Sequence, residues 1–201
     1  MSKRILSIIA AVALTLYAGA VSAQQLSLGQ ISAYLNQLQT AQGGFTQING
    51  DGTLSTGQIY IKRPGRIRFE YNAPADSVVM ASGGQLAVFD ARSNTGPEIF
   101  PLNQTPLSII LQRNVDLARA DMVTNVASVG TTTSVTAQDP DNPYYGSIQM
   151  VFTANPVELR QWIVTDEFGA ETTVILNDLI AGGNLGDILF NIRAETRKRG
   201  G

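Results

Sequence analysis

The feature that most constrains this chain is the density of short segments with period-two alternation, separated by turn residues. "FTQI" and "LSTGQIYIK" flank Asn49-Gly50-Asp51-Gly52, where asparagine and glycine accept the positive φ that tight hairpins demand. "RIRFEY", "SVVMA" and "QLAVFDA" follow at short intervals. After a middle segment come "MVTNVASV", "TSVTAQ", "SIQMVFTA", "LRQWIVTD" and "ETTVILNDL", with Asn155-Pro156 and Phe168-Gly169 between the last three. About ten strands in sequential hairpins predict one large antiparallel meander. A sheet of that width must curl or close.

Two segments break the strand rhythm. "SLGQISAYLNQL" reads as a helix: Ser27 and Gln30 form a capping box, and Ile31, Tyr34, Leu35 and Leu38 share one face. Gly43 and Gly44 are expected to end it. In "PLNQTPLSIILQRN", Thr105 can cap a second helix with Pro106 in its first position. Leu107, Ile110 and Leu111 then fall on one side. Helices beside a curled sheet would cover its open mouth. The basic cluster from Arg193 to Arg199 is expected to be a solvated tail.

Composition narrows the chemistry. The chain has neither cysteine nor histidine, which excludes disulfides, a Ser-His-Asp triad, and thiolate or imidazole metal sites. No phosphate-cradling glycine loop or calcium-loop spacing is present, so neither cofactor nor metal is expected. Acidic residues such as Asp51, Asp76, Asp139, Asp141 and Asp178 stand singly in turn-like contexts. A hydrolase built on a carboxylate pair is the weaker class.

Lys3 and Arg4, the uncharged run Ile5 to Ala18, and small residues at Val21-Ser22-Ala23 predict a cleaved signal peptide over 1–23. Residues 24–201 would then form one domain. Cleavage would remove two positive charges and no negative ones, taking the formal net charge from −2 to −4. Such a chain has no bulk attraction to nucleic acid. No second apolar run approaches spanning length.

One basic residue interrupts an apolar face. In "YIKRPGRIRFEY", Arg63 shares the parity of Ile59, Ile61, Ile67, Phe69 and Tyr71, so its guanidinium points along the greasy side of a strand. Pro64, which has no N–H, stops the ladder there. One reading has the arginine snorkel at a strand end. The other has its five donors bind orphan carbonyls at a helix end, two or three such bonds holding a lid.

These motifs, in this order, resemble the periplasmic outer-membrane lipoprotein carrier proteins of the LolA type. The matching pieces are "FTQ" (45–47), "GQIYIKRPGRIRFEY" (57–71), "GGQLAVFD" (83–90), "TPLSIILQRN" (105–114) and "DEFGAETTVIL" (166–176). The resemblance implies a mainly β fold with a helical lid: one antiparallel sheet curled into an unclosed β-barrel, capped by short α-helices around an apolar cavity. It implies no enzyme but a periplasmic chaperone for the acyl chains of lipoproteins, working as a monomer. Its implied partners are acylated lipoproteins, an inner-membrane ABC-type release complex, and an outer-membrane receptor or the outer membrane itself. Carriage of another amphiphile, a glycolipid or pigment precursor, is the alternative.

By the same resemblance Arg63 and Pro64 form the lid latch. Ile59, Ile61, Ile67, Phe69, Tyr71, Leu86, Phe89, Leu107, Ile110, Leu111 and Trp162 would line the cavity or lid. The chain departs from the family at Ala87, where relatives often carry an aromatic; the smaller side chain would enlarge the cavity or move its wall elsewhere.

Overall fold

The computed structural model describes residues 25–93, 95–119 and 121–200; the expected signal peptide lies outside them. Helix α1 (Leu28–Gln37) is followed by β1 (Thr40–Ile48), β2 (Leu54–Lys62), β3 (Arg66–Tyr71), β4 (Val78–Ser82), β5 (Gln85–Phe89) and β6 (Glu98–Pro101). After helix α2 (Leu107–Leu111) come β7 (Val123–Val129), β8 (Thr132–Gln138), β9 (Ser147–Thr153), β10 (Glu158–Thr165) and β11 (Glu171–Ala181). Helix α3 (Ile192–Lys198) ends the fold.

Among the described residues eleven strands form one antiparallel sheet, ordered β6-β5-β4-β3-β2-β1-β11-β10-β9-β8-β7. Two meanders, β1–β6 and β7–β11, are joined where β1 pairs with β11. Among the described residues the outer edges β6 and β7 do not pair with each other, so the barrel stays unclosed. The chain crosses between those two edges through α2.

The expected hairpins match closely at β2 and β3, and within a residue or two at most other strands. Strand β6 is an addition: its four residues are all exposed, so no alternation marks it. At the N-terminus, Ser27 Oγ accepts from the Gln30 amide and the Gln30 side chain reaches back to Ser27 N, completing the capping box. The helix does not run to Gly43 and Gly44. It ends at Gln37, and both glycines lie inside β1. Gly43 sits at a register shift against β11, where a Cβ would come within 2.9 Å of the Asn177 and Asp178 carbonyl oxygens. That close approach, not helix termination, accounts for the glycine.

The main core fills the concave side: Phe45, Ile59, Ile61, Ile67, Phe69, Ile148, Met150, Phe152, Trp162, Val174 and Leu176 from the sheet, closed by α1 and α2. A second, smaller core lies on the convex side. Val78, Met80, Ala87 and Phe89 pack there against Ile192 of α3. The basic C-terminal segment is therefore a docked helix rather than a solvated tail. Asn191 caps it through a bond from Ala194 N. Glu195, almost fully buried, accepts from Arg68 Nη2 at 3.0 Å and from Arg199 Nε at 2.8 Å. Arg68 also reaches Glu70 and the Leu189 carbonyl, so no donor-rich head is left stranded beneath the helix.

Candidate functional site, a lid clasped over an apolar face

The lid is stitched together by polar side chains on α1. Asn36 Nδ2 donates to the Val115 carbonyl at 2.8 Å, while Asn36 Oδ1 accepts from Val115 N at 2.9 Å. Ser32 Oγ accepts from Leu117 N at 3.0 Å. The segment that follows α2 is thus tied to α1. Helix α2 lies beneath with Leu107, Ile109, Ile110 and Leu111 all buried. Thr105 does not cap α2 with its side chain; its hydroxyl turns back to donate to the Leu102 carbonyl.

The turn between β2 and β3 grips the lid from below. Arg63 N donates to the Gln39 carbonyl just beyond α1, and Gly65 N to the Leu111 carbonyl at the end of α2, both at 2.8 Å. The Arg63 guanidinium is buried and donates through Nη2 to the Gln112 carbonyl, one residue further. Two orphan carbonyls at the α2 C-terminus are therefore met by one Arg-Pro-Gly turn. The side chain makes one such bond rather than two or three. Among the described residues its Nε and Nη1 are buried without a partner. Burial pushes the guanidinium pKa below its usual value, and an arginine in a protein keeps its charge.

That geometry sets the strength of the grip. A bond to a charged group contributes about 1.5–3 kcal/mol, and each buried unpaired donor costs about 1–3 kcal/mol. With two such donors the cost, about 2–6 kcal/mol, equals or exceeds the gain from the one bond. Arg63 therefore fixes where the end of α2 sits, while apolar burial supplies most of the force holding it down.

Beside α2 the concave face is not filled. A pocket of about 430 Å³ opens there, walled by Phe69, Tyr71, Leu86, Leu107, Trp162 and Val174 among others, within the range of small-molecule sites. Tyr71 donates to Gln47 Oε1 at 2.7 Å; burial, outweighing that bond, pushes its phenol up to about 12. Phe69 stands edge-to-face to both Phe45 and Trp162, with centroids 5.3 and 6.3 Å away, a preferred arrangement of aromatic quadrupoles.

Of the eleven residues expected to line the cavity or lid, Phe69, Tyr71, Leu86, Leu107 and Trp162 border this pocket. Ile59, Ile61, Ile67, Ile110 and Leu111 instead pack in the filled core under the lid. Phe89 is misplaced in the sequence reading: it lies on the convex face, with Arg199 stacked 5.8 Å from its ring. Ala87 shares that convex side, so its small size does not widen the cavity. Leu86 and Phe89 differ in parity, which already assigns them to opposite faces. Ser32, Asn36 and Gly65 escaped the sequence reading. The signal for the first two was their i,i+4 spacing beside the Ile31/Leu35 stripe.

An unclosed antiparallel half-barrel, a clasped helical lid and an adjoining apolar pocket together suit a carrier of apolar groups. The family described as outer membrane lipoprotein carrier protein LolA matches residues 36–193. The chain belongs to that family. An outer-membrane lipoprotein carrier protein of Coxiella burnetii is 32% identical over 114 residues, covering 53% of this chain and 54% of the relative. The chain thus spans about half the length of that curated relative. A protein of the same name from Chromobacterium violaceum is 25% identical over 166 residues, 79% of each chain. In fold alone, a DUF1329 family protein from Desulfovibrio piger superposes with a TM-score of 0.50 at 11% identity, covering 83% of this chain and 95% of the other. Among the described residues no helix is long and apolar enough to cross a membrane.

Proposed function

We propose that this protein carries the acyl chains of lipoproteins through the periplasm. It would take them from an inner-membrane ABC-type release complex and deliver them to an outer-membrane receptor or to the outer membrane itself. Residues 1–23 would direct export and be removed, leaving 24–201 as a monomeric carrier. The observation that carries this reading is the lid: a five-residue helix with four apolar, buried residues, lying next to an open apolar pocket.

Each methylene removed from water contributes about 0.8 kcal/mol, so one long acyl chain left exposed costs on the order of 10 kcal/mol. A sleeve is needed. The pocket beside Leu107 admits the leading part of a chain, and further entry displaces α2 from Ile59, Ile61 and Ile67. Acyl methylenes then replace Leu107, Ile110 and Leu111 against the same surface. One set of apolar contacts is exchanged for another, which is close to balanced because burial is non-directional. The few directional bonds at Arg63 and Gly65 then decide which state prevails, and they are weak enough to be reversed.

The experiment is loading from spheroplasts. Mixed with them, the purified protein should bring a lipoprotein into solution as a one-to-one complex. Lipoproteins that stay on the membrane, with a different amphiphile extracted from the protein, would transfer the reading to that amphiphile.

A further inference from the structure

The rim of the apolar pocket is charged with one sign only. Asp166 and Glu167, at the turn between β10 and β11, both line it, and among the described residues no lysine or arginine does. Its other polar lining is uncharged: Gln47, Tyr71, Gln104, Thr105, Tyr145 and Thr172. The wider sequence shows the same bias, since between Arg119 and Arg193 the single cation is Arg160, against nine carboxylates. Asp166 is held in place, its Oδ1 accepting from Phe168 N and Ala170 N, both at 2.9 Å. Glu167 is exposed and free of such duties among the described contacts.

We infer that the pocket admits acyl chains whose attached head is uncharged or cationic and discriminates against chains bearing a phosphate or carboxylate head. The inference rests on the carrier reading above and names the chemistry of its cargo. Apolar walls cannot tell one acyl chain from another, because methylene burial is the same whatever the head. Discrimination must come from where the head stops, at the mouth. There an anion meets two like charges with no compensating cation, and specificity by repulsion follows. In water a unit charge a few ångströms from one carboxylate shifts binding roughly fivefold, and the effect fades as salt shortens the screening length. A carrier surrounded by anionic lipid would thereby keep its pocket free of it.

Trp162 is the only tryptophan in the chain and borders the pocket, so its fluorescence reports occupancy directly. Three probes with one twelve-carbon tail, dodecyltrimethylammonium, dodecyl maltoside and dodecyl phosphate, are titrated below their micelle concentrations. The expected result is binding of the cationic probe at least about tenfold tighter than the anionic one at low salt, with the neutral probe between. That ratio should shrink in Glu167→Gln, further in Asp166→Asn/Glu167→Gln, and in high salt. The asparagine of the double variant retains a side-chain oxygen to accept the turn's two bonds, and Glu167→Gln alone leaves the turn untouched. Equal binding of the three probes, tighter binding of dodecyl phosphate, or a ratio indifferent to both substitutions would overturn the inference alone. Silence of Trp162 toward all three would overturn the carrier reading with it.

Discussion

Replacing Glu195 with alanine should unfold this protein several degrees earlier, although the residue lies in a stretch as basic as any surface tail. Glu195 and Arg68 are only 6% and 5% exposed at their side chains and meet at 3.0 Å. Removing one partner of a buried ion pair costs about 3–5 kcal/mol, because the other charge stays buried without it. Arg68 keeps Glu70 at 2.7 Å and the Leu189 carbonyl at 3.2 Å, which places the loss near the lower end, about 3 kcal/mol. For a chain of this size 1 kcal/mol moves the midpoint by roughly 2–4 °C, so Glu195→Ala should lower Tm by about 6–12 °C. The assay is thermal unfolding followed by circular dichroism, with Arg68→Met/Glu195→Leu as control. The double variant should recover most of the loss, since an apolar pair of similar volume needs no charge compensation. A solvated tail would tolerate the change within about 0.5 kcal/mol. A Tm within about 2 °C of the parent would therefore refute the docked helix and the convex core beneath it.

Glu195 also links stability to acid. Burial alone would raise its pKa, but the bonds from Arg199 and Arg68 outweigh burial and hold it below the ordinary 4.5. A lowered folded pKa gives stability that is present above 4.5 and lost as pH falls through the folded value; Glu195→Gln should flatten a denaturation midpoint-versus-pH curve in that window. Tyr71 acts in the opposite direction: its phenol, raised from 10.0 to about 12, contributes stability present below pH 10 and lost as pH rises through about 12. The Tyr71→Phe variant should lack that alkaline loss in the same measurement. For Arg63→Leu the lost bond to Gln112 is offset by the relief of two unpaired donors at about 1–3 kcal/mol each, so Tm should fall by no more than about 4 °C and is expected to hold or rise. Delivery from loaded carrier to acceptor membranes should nevertheless slow, because the empty state it must regain lacks the contact that seats α2; unchanged loading and delivery would reduce Arg63 to a packing residue.

The strands were legible because a sheet with one wet and one dry face writes its period into the sequence, as in β2 and β3. Strand β6 was not, since an edge strand with all four residues exposed has no dry face to record. Helix α3 was hidden for a related reason. It packs Ile192 on the convex core and buries Glu195 under a string of arginines, and a carboxylate paired in the interior reads like any surface acid. Parity assigned Arg63 to the concave side correctly and would have assigned Phe89 to the convex side had it been applied there. Parity says nothing about depth, however. Ile67 and Phe69 share one face of β3, yet only Phe69 reaches the pocket, because the placement of α2 decides which residues are covered. The grip of Gly65 N on Leu111 was unreadable in principle, since a backbone donor carries no side-chain signature.

Amide hydrogen exchange along α2, with and without bound acylated cargo, tests the lid most directly. Cargo that displaces the helix should strip protection from Ile110 and Leu111 while the strands that hold Ile59 and Phe69 keep or gain theirs. If the loaded protein shows α2 as protected as in the empty one, the helix does not move aside, and the container works by some route other than the one argued from its clasp.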